Sequence, residues 1–436
     1  MQDGSLASHP AVLAAAPTVA RPALMGRKLP PTTHFPCTGR ASAVVVHRTG
    51  HGGRAASVPA GSVVGMTHTD PSLPSPTPVP SPGGGLPART LLARSPGDLL
   101  AAVPVVLGFR ATDSVVMLTF PRTPPRRRRR AGPSRQPEAF HARIDLPASP
   151  ADLPEVADAL LDPVLRHRID RVALVVYTPD AALAAQAAGV LATRFTEAGV
   201  DLVDLLHADG KRWFALLPGR PPEAYAGTPY DDRSHPFLAQ AVLDGRVTLG
   251  SRDALAAGLI ADDQAAVEAV DQLARSLDRA GPEGHESERQ WVDSALDRRL
   301  AGEAWSDGDV ARLLVDLRDV RLRDLAWLRM TRSSAAGHVE VWRDVVRRCP
   351  AHLLPAPACL LAFAAWLAGH GALAWCALDR CRGADPDYRL AGLVATLLDH
   401  AVPPSTWHPP RDPDPDLAAD ATALRVRSQT ARGTRH

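Results

Sequence analysis

Asparagine is absent from this chain, lysine occurs twice and isoleucine three times, while arginine occurs 47 times. Lys, Asn and Ile share AT-rich codons, so their scarcity reports a GC-rich genome rather than a selected function. Arginine richness is therefore weak evidence for nucleic-acid binding. Without Asn there is no N-glycosylation acceptor and no Asn-to-adenine contact. The five cysteines, Cys37, Cys349, Cys359, Cys376 and Cys381, form no CxxC pair. That pattern speaks against a disulfide framework and against a structural zinc site. Four of them lie in an apolar helical region and read as small core residues. The longest apolar run, 356–369, has 14 residues, short of the roughly 20 that a membrane helix needs. Residues 11–20 are mildly apolar, but no basic segment precedes them, so no signal peptide is expected. No Walker A, GxGxxG, GxSxG or HExxH motif occurs. No cofactor, metal or membrane partner is predicted, and the expected location is the cytoplasm.

What is present is uneven. The chain has 436 residues and a net charge of +2. Residues 1–90 carry +5, residues 91–138 carry +6 and residues 139–436 carry −9. The acidic body repels phosphate, so any nucleic-acid affinity would have to come from the front segment or from one loop. Residues 1–90 hold 14 Pro and 11 Gly, too little apolar surface to offset chain entropy, and read as a disordered leader. Met66 is a plausible true start, with ordered protein expected from about Leu91.

From Ser95 the pattern becomes that of a folded domain. Ser95-Pro96-Gly97-Asp98 is a helix start, with Ser as N-cap, Pro in the first turn and an acid at the positive end of the dipole. Strands are predicted at Asp113–Phe120 and Phe140–Leu146, the second as antiparallel partner of the first. A proline-rich loop with Arg126 to Arg130 separates them. Helices are expected over 152–168 and 180–198. The β-branched run Arg171–Tyr177 reads as a central strand covered on both faces. Asp201–Leu206 and Arg212–Leu217 form a hairpin around Asp209-Gly210. Residues 218–236 read as a linker, followed by a helix over 237–243, an extended stretch over 247–249 and a helix capped by Ser251. After residue 262 the period is 3.6 throughout, with eight helices expected between 262 and 399. The tail beyond Pro403 reads as frayed.

The fold expected is thus an α/β module, a mixed sheet with flanking helices over 91–260, with its Arg-rich loop at 121–138. An all-α module follows over 261–408, then a flexible tail over 409–436. One helical hairpin, near 358–391, uses small residues where its helices meet and closes on Asp385-Pro386, resembling a single tetratricopeptide repeat. The plainer reading is an αα-hairpin within a bundle.

Few residues suggest chemistry. Asp113, Arg143 and Asp145 occupy predicted strand positions. Arg143 and Asp145, at i and i+2, share one face and could form an anion site with a carboxylate beside it, or a structural ion pair. Tyr177 ends the central strand, where open α/β sheets bind ligands. Trp213 and Tyr230 are scarce aromatics; Trp213 could stack on a planar ligand, although packing against the sheet is the plainer reading. His207, Asp209, Asp232 and His235 lack any diagnostic metal spacing. The five arginines Arg126, Arg127, Arg128, Arg129 and Arg130 could meet phosphates, but no aromatics interleave them.

Several motifs agree in order with one family. Arg94-Ser95-Pro96-Gly97-Asp98-Leu99-Leu100-Ala101-Ala102-Val103-Pro104 is followed by Leu107-Gly108-Phe109 and Thr112-Asp113-Ser114-Val115-Val116. Then come Ala142-Arg143-Ile144-Asp145-Leu146-Pro147, Asp209-Gly210 with Trp213, Gly227-Thr228-Pro229, Gly371 to Leu378, Ala384 to Ala391 and Pro403-Pro404-Ser405-Thr406-Trp407. Over about 91–408 the chain resembles the actinobacterial domain-of-unknown-function 4192 family. The resemblance implies an architecture and no agreed activity. It also implies, in many members, a cysteine pair shortly after the strand holding Trp213. Leu217, Pro218 and Arg220 stand there in this chain, so cysteine chemistry is not expected.

Three functions remain open from the sequence. The first is a non-catalytic interaction or regulatory protein whose helical module docks a protein partner. The second is an enzyme of unrecognised type with a site near Arg143, Asp145 and Tyr177. The third is weak nucleic-acid association through Arg126–Arg130.

Overall fold

A computed structural model describes residues 42–44, 93–120, 139–243, 247–281 and 284–409. The proline-rich leader, apart from 42–44, lies outside the described residues, as do Arg126–Arg130 and the tail from 410. A mixed sheet with helices occupies the N-terminal part, and helices make up the rest.

The sheet contains β1 (Ser42–Val44), β2 (Ser114–Thr119), β3 (His141–Asp145), β4 (Arg171–Tyr177), β5 (Asp201–Ala208), β6 (Arg212–Ala215) and β7 (Thr228–Pro229). Their order is β1-β3-β2-β4-β5-β6-β7. Among these described strands β4 and β5 alone pair in parallel. A parallel pair needs a crossover helix, and the Ala-rich stretch after β4 supplies it as α3 (Ala181–Glu197). Asp180 caps that helix, its Oδ1 accepting the N–H groups of Ala182 and Leu183 at 2.8 and 3.0 Å.

Alternation along the strands sorts side chains to two faces. Val115, Met117, Ile144, Leu174, Val176 and Leu205 meet α2 (Leu153–Arg166) and α3 in one apolar core. Val116, Leu118, Val175, Leu206 and Trp213 point the other way, against α1 (Pro96–Leu107). The capping box foreseen at Ser95 is present. Ser95 Oγ accepts the Asp98 N–H at 3.2 Å, and Asp98 Oδ2 accepts the Ser95 N–H at 3.1 Å.

Between the hairpin and the helical part, residues 218–236 are more ordered than a linker. They hold α4 (Pro222–Ala226) and β7, which extends the sheet beyond β6. The reason lies in Gly227, whose φ of +96° reverses the chain beneath Phe214. A Cβ there would lie 2.5 Å from the Phe214 ring, so only glycine lets β7 approach β6 this closely. The extended stretch 247–249 forms no strand; Leu249 makes a single parallel bridge to Phe109.

α5 (Pro236–Leu243) and α6 (Arg252–Ala257) lead into the helical part. It comprises α7 (Gln264–Ala280), α8 (His285–Leu300), α9 (Asp307–Asp316), α10 (Val320–Leu328), α11 (Ala335–Arg348), α12 (Pro355–Leu367), α13 (Gly371–Ala384) and α14 (Arg389–Asp399). α12 and α13 form the expected αα-hairpin, with Ala358, Ala362, Ala365, Ala374, Ala377 and Cys381 buried. Small residues let the two backbones approach. The segment after Pro403 is packed rather than frayed. A 3-10 turn at Pro404–Thr406 presents Trp407 to Trp327 and Phe363, both at 5.1 Å between ring centroids. The Trp407 Nε1–H also donates to the Met330 carbonyl at 2.8 Å. No helix among the described residues is long and apolar enough to cross a membrane.

Candidate functional site

Register brings the predicted strand-end residues together. Asp145 lies opposite Ser114, Ser114 opposite Tyr177, Tyr177 opposite Ala208 and Ala208 opposite Trp213. Directly opposed residues share a face with Cβ atoms about 4.5–5.5 Å apart. One row therefore crosses five strands on the α1 side of the sheet. Arg143 stands one step behind Asp145 on the same face, its guanidinium 5.7 Å from the Phe109 ring centre.

Arg143 is only 5% exposed. Its Nη2 bonds Asp145 Oδ1 and also donates to the Thr112 carbonyl at 3.3 Å. Among the described residues its Nε and Nη1 find no acceptor, and the buried Ser114 hydroxyl finds no partner. Buried donors left this way are costly and call for an explanation.

The helical part closes over this end of the sheet. Ala372 of α13 joins the core beneath α1, and Leu255 of α6 packs against it. α6 and α13 are clasped by Arg252 Nη2 and Asp379 Oδ2 at 2.7 Å. Arg252 is also within electrostatic reach of Asp145 and of Cys376 on α13. Burial pushes the Cys376 thiol up to about 11, with Arg252 pulling against it. At neutral pH this thiol is protonated and a poor nucleophile. The seam between the two modules thus gathers Arg143, Asp145, Arg252 and Asp379, two charges of each sign.

Tyr177 is buried in the same core. Burial, then Tyr230 and Asp232, hold its phenol well above the ordinary tyrosine range. Tyr230 is pushed to about 12, by burial first and then by Asp232 and Asp209. Both are hydrogen-bond donors at neutral pH, not bases. Two contacts pin the rim near Tyr230 to α1 and the turn after it. His235 Nε2 meets Asp98 Oδ1 at 3.2 Å, and Arg110 Nε meets Asp232 Oδ2 at 3.3 Å.

Not every predicted residue joins the row. Asp113 is not in a strand. It is exposed, has φ 42° and precedes β2, where its carbonyl accepts the Leu146 N–H at 2.9 Å. A short polar residue tolerates this left-handed turn, which explains its place at the strand entry. Trp213 is packed into the sheet core, 9% exposed. His207 lies on the opposite face, its Nε2 2.8 Å from the Thr178 carbonyl and its ring stacked on Phe214. It is thus separated from His235, which is held on α1. No group of three potential metal ligands occurs among the described residues.

Sequence reasoning missed Ser114, Arg252 and Asp379. A serine opening an otherwise apolar strand was a usable signal. Nothing local connects Arg252 with a residue 127 positions later.

Concave surface lies elsewhere. A hollow of about 440 Å³ opens at the other end of β4 and β5, beside Asp170, Arg171 and Asp201. A groove of about 510 Å³ runs along the helical part, lined by Leu314, Leu317, Val320, Arg323, Leu353 and Tyr388 among others. Arg323 among these is held by Asp324 at 2.6 Å and by the Tyr388 hydroxyl at 3.4 Å.

No curated protein and no solved structure matches the chain. A family model does match, over residues 96–405, and spans β2 to β7, the seam and the helices alike. The chain accordingly belongs to the family described as a domain of unknown function, DUF4192.

Proposed function

We propose that this chain is a non-catalytic interaction or regulatory protein of the cytoplasm, in which the helical module docks a protein partner. The observation that carries this reading is the groove between α7, α9, α10 and the turns flanking α12 and α14. It joins an apolar floor of Leu314, Leu317 and Leu353 to an exposed rim at Val320. Apolar grooves of helical folds take up partner segments through such anchors. By contrast, the strand-end face that would hold a substrate in an open α/β sheet is covered by α1, α6 and α13. Nucleic acid is not the partner proposed, because residues 139–436 carry a net −9.

A photo-crosslinking residue at His352, on the groove, should give discrete protein adducts in cells expressing the full chain. The same residue at Leu165, exposed on α2, should not. Val320→Glu should suppress the adducts without unfolding the protein, since Val320 is 54% exposed. Identical adducts from both positions would overturn the reading.

An enzymatic reading has one observation in its favour: Asp145, Ser114 and Tyr177 are neighbours on one face. Its test is turnover of a candidate substrate that is lost in Tyr177→Phe.

A further inference from the structure

We propose that Arg143 and Ser114 form a buried receptor for a small oxyanion, a carboxylate or a phosphate, in the seam between sheet and helices. The inference is independent of the helical groove.

A guanidinium carries five N–H groups in a rigid fork and stays charged at any physiological pH. In Arg143 both acceptors, Asp145 and the Thr112 carbonyl, are served by Nη2. The three N–H groups on Nε and Nη1 find no acceptor among the described residues, although the side chain is only 6% exposed. Ser114 is fully buried one strand away, on the same face, and its hydroxyl also lacks a partner. Two neighbouring donors of this kind are matched by one oxygen-rich anion.

Asp145 is the group that an incoming anion has to displace. Its side chain is 29% exposed, so it marks the solvent side of the seam. Its carboxylate occupies the edge of Arg143 that an incoming anion would use. Asp145 is thus an internal stand-in for the ligand. A bound anion displaces it outward, and Arg252, already within reach of Asp145, balances the charge.

The idea makes opposite predictions for the two members of one ion pair. Titration calorimetry of the full chain with inorganic phosphate, and separately with acetate, at constant ionic strength should show saturable one-to-one binding. The anion that binds identifies the class. Arg143→Gln should weaken it about tenfold or more and Ser114→Ala about threefold, since each removes a buried donor. Asp145→Asn should strengthen it, because the competing carboxylate is gone while the shape is kept. A purely structural pair gives no saturable binding with either anion, and that result overturns the proposal. So does binding that is unchanged in Ser114→Ala and unchanged or weaker in Asp145→Asn. These two variants decide the matter even if Arg143→Gln fails to fold.

Discussion

The two faces of the sheet are built from the same strands and differ in kind. Toward α2 and α3 the central strands turn mainly aliphatic side chains and Met, among them Val115, Met117, Leu174 and Val176, and the two buried polar residues there, Thr119 and His207, are each hydrogen-bonded to a backbone carbonyl. Toward α1 and α13 the aliphatic rows end in Arg143, Asp145, Ser114 and Tyr177. An apolar face needs only volume and is satisfied by any close-packed cover. A face with a buried arginine needs acceptors at defined places, and this one supplies fewer than the arginine can use. The first face holds the fold together. The second has chemistry to spare, and it is the one the helical module covers.

Four experiments would break or sharpen that contrast, beginning with the largest effect. Leu160→Ala on α2, a residue with no exposure, should cost about 2–5 kcal/mol in urea denaturation. It should leave anion binding at the seam unchanged; coupling between the two would show that the faces are not independent.

A second buried charge cluster, in the helical part, tests whether the seam is special. Glu288 on α8 and Asp316 on α9 are both buried, and Arg312 holds Glu288 through Nε and Nη2 at 3.2 and 3.1 Å. Burial, reinforced by Glu288, raises Asp316 to about 7. Its folded value lies above its unfolded one, so the native state holds the proton more tightly. The stability it contributes is full below about pH 4 and is lost as pH rises toward 7, about 2–4 kcal/mol in all. His338, lowered to about 4 by burial, slopes the other way, losing stability as pH falls from about 6.5 to 4. The readout is therefore the difference between the parent and Asp316→Asn. That difference should change by about 2–4 kcal/mol between about pH 4 and 7 and level off above it; a difference independent of pH would mean that another group is the cause. Anion binding should be the same in both proteins.

Gly227→Ala should cost about 1–3 kcal/mol. Its new methyl meets Phe214, which is itself stacked on His207 at 5.2 Å and has little room to yield. The same change should loosen β7 and the rim at Tyr230, read as faster amide exchange at Trp213 and Thr228, which pair across β6 and β7. Protection left intact there would mean that the rim is not tied to the hairpin. Smallest is Ser95→Ala, which removes the N-cap of α1 and should cost about 1 kcal/mol by thermal unfolding. No loss would show that Asp98, held also by His235, caps α1 alone.

Much of the fold was legible without coordinates. The capping sequence at Ser95, the β-branched run of β4, the Asp-Gly turn of the hairpin and the 3.6-residue period after 262 all act over a few residues. Each was placed to within about three residues. The pairing of Arg143 with Asp145 was also readable, because i and i+2 share a face of a strand. Less visible were elements whose order depends on distant packing. β7 exists because Gly227 fits beneath Phe214, and the segment at Trp407 is ordered because Trp327 and Phe363 receive it. Asp113 resembled a strand residue because the alternation continues through it; its backbone turns only because Leu146 bonds its carbonyl.

By itself, then, the sequence determined the elements, the apolar face of each and the separation of an acidic body from a basic front. Those properties follow from short-range sterics and periodicity. Tertiary structure alone decided that Ser114 stands between Asp145 and Tyr177, that Arg252 meets Asp379 across 127 residues, and that α13 seals the strand ends. Such juxtapositions are set by strand register and by the burial of whole faces, and no local pattern along the chain encodes either.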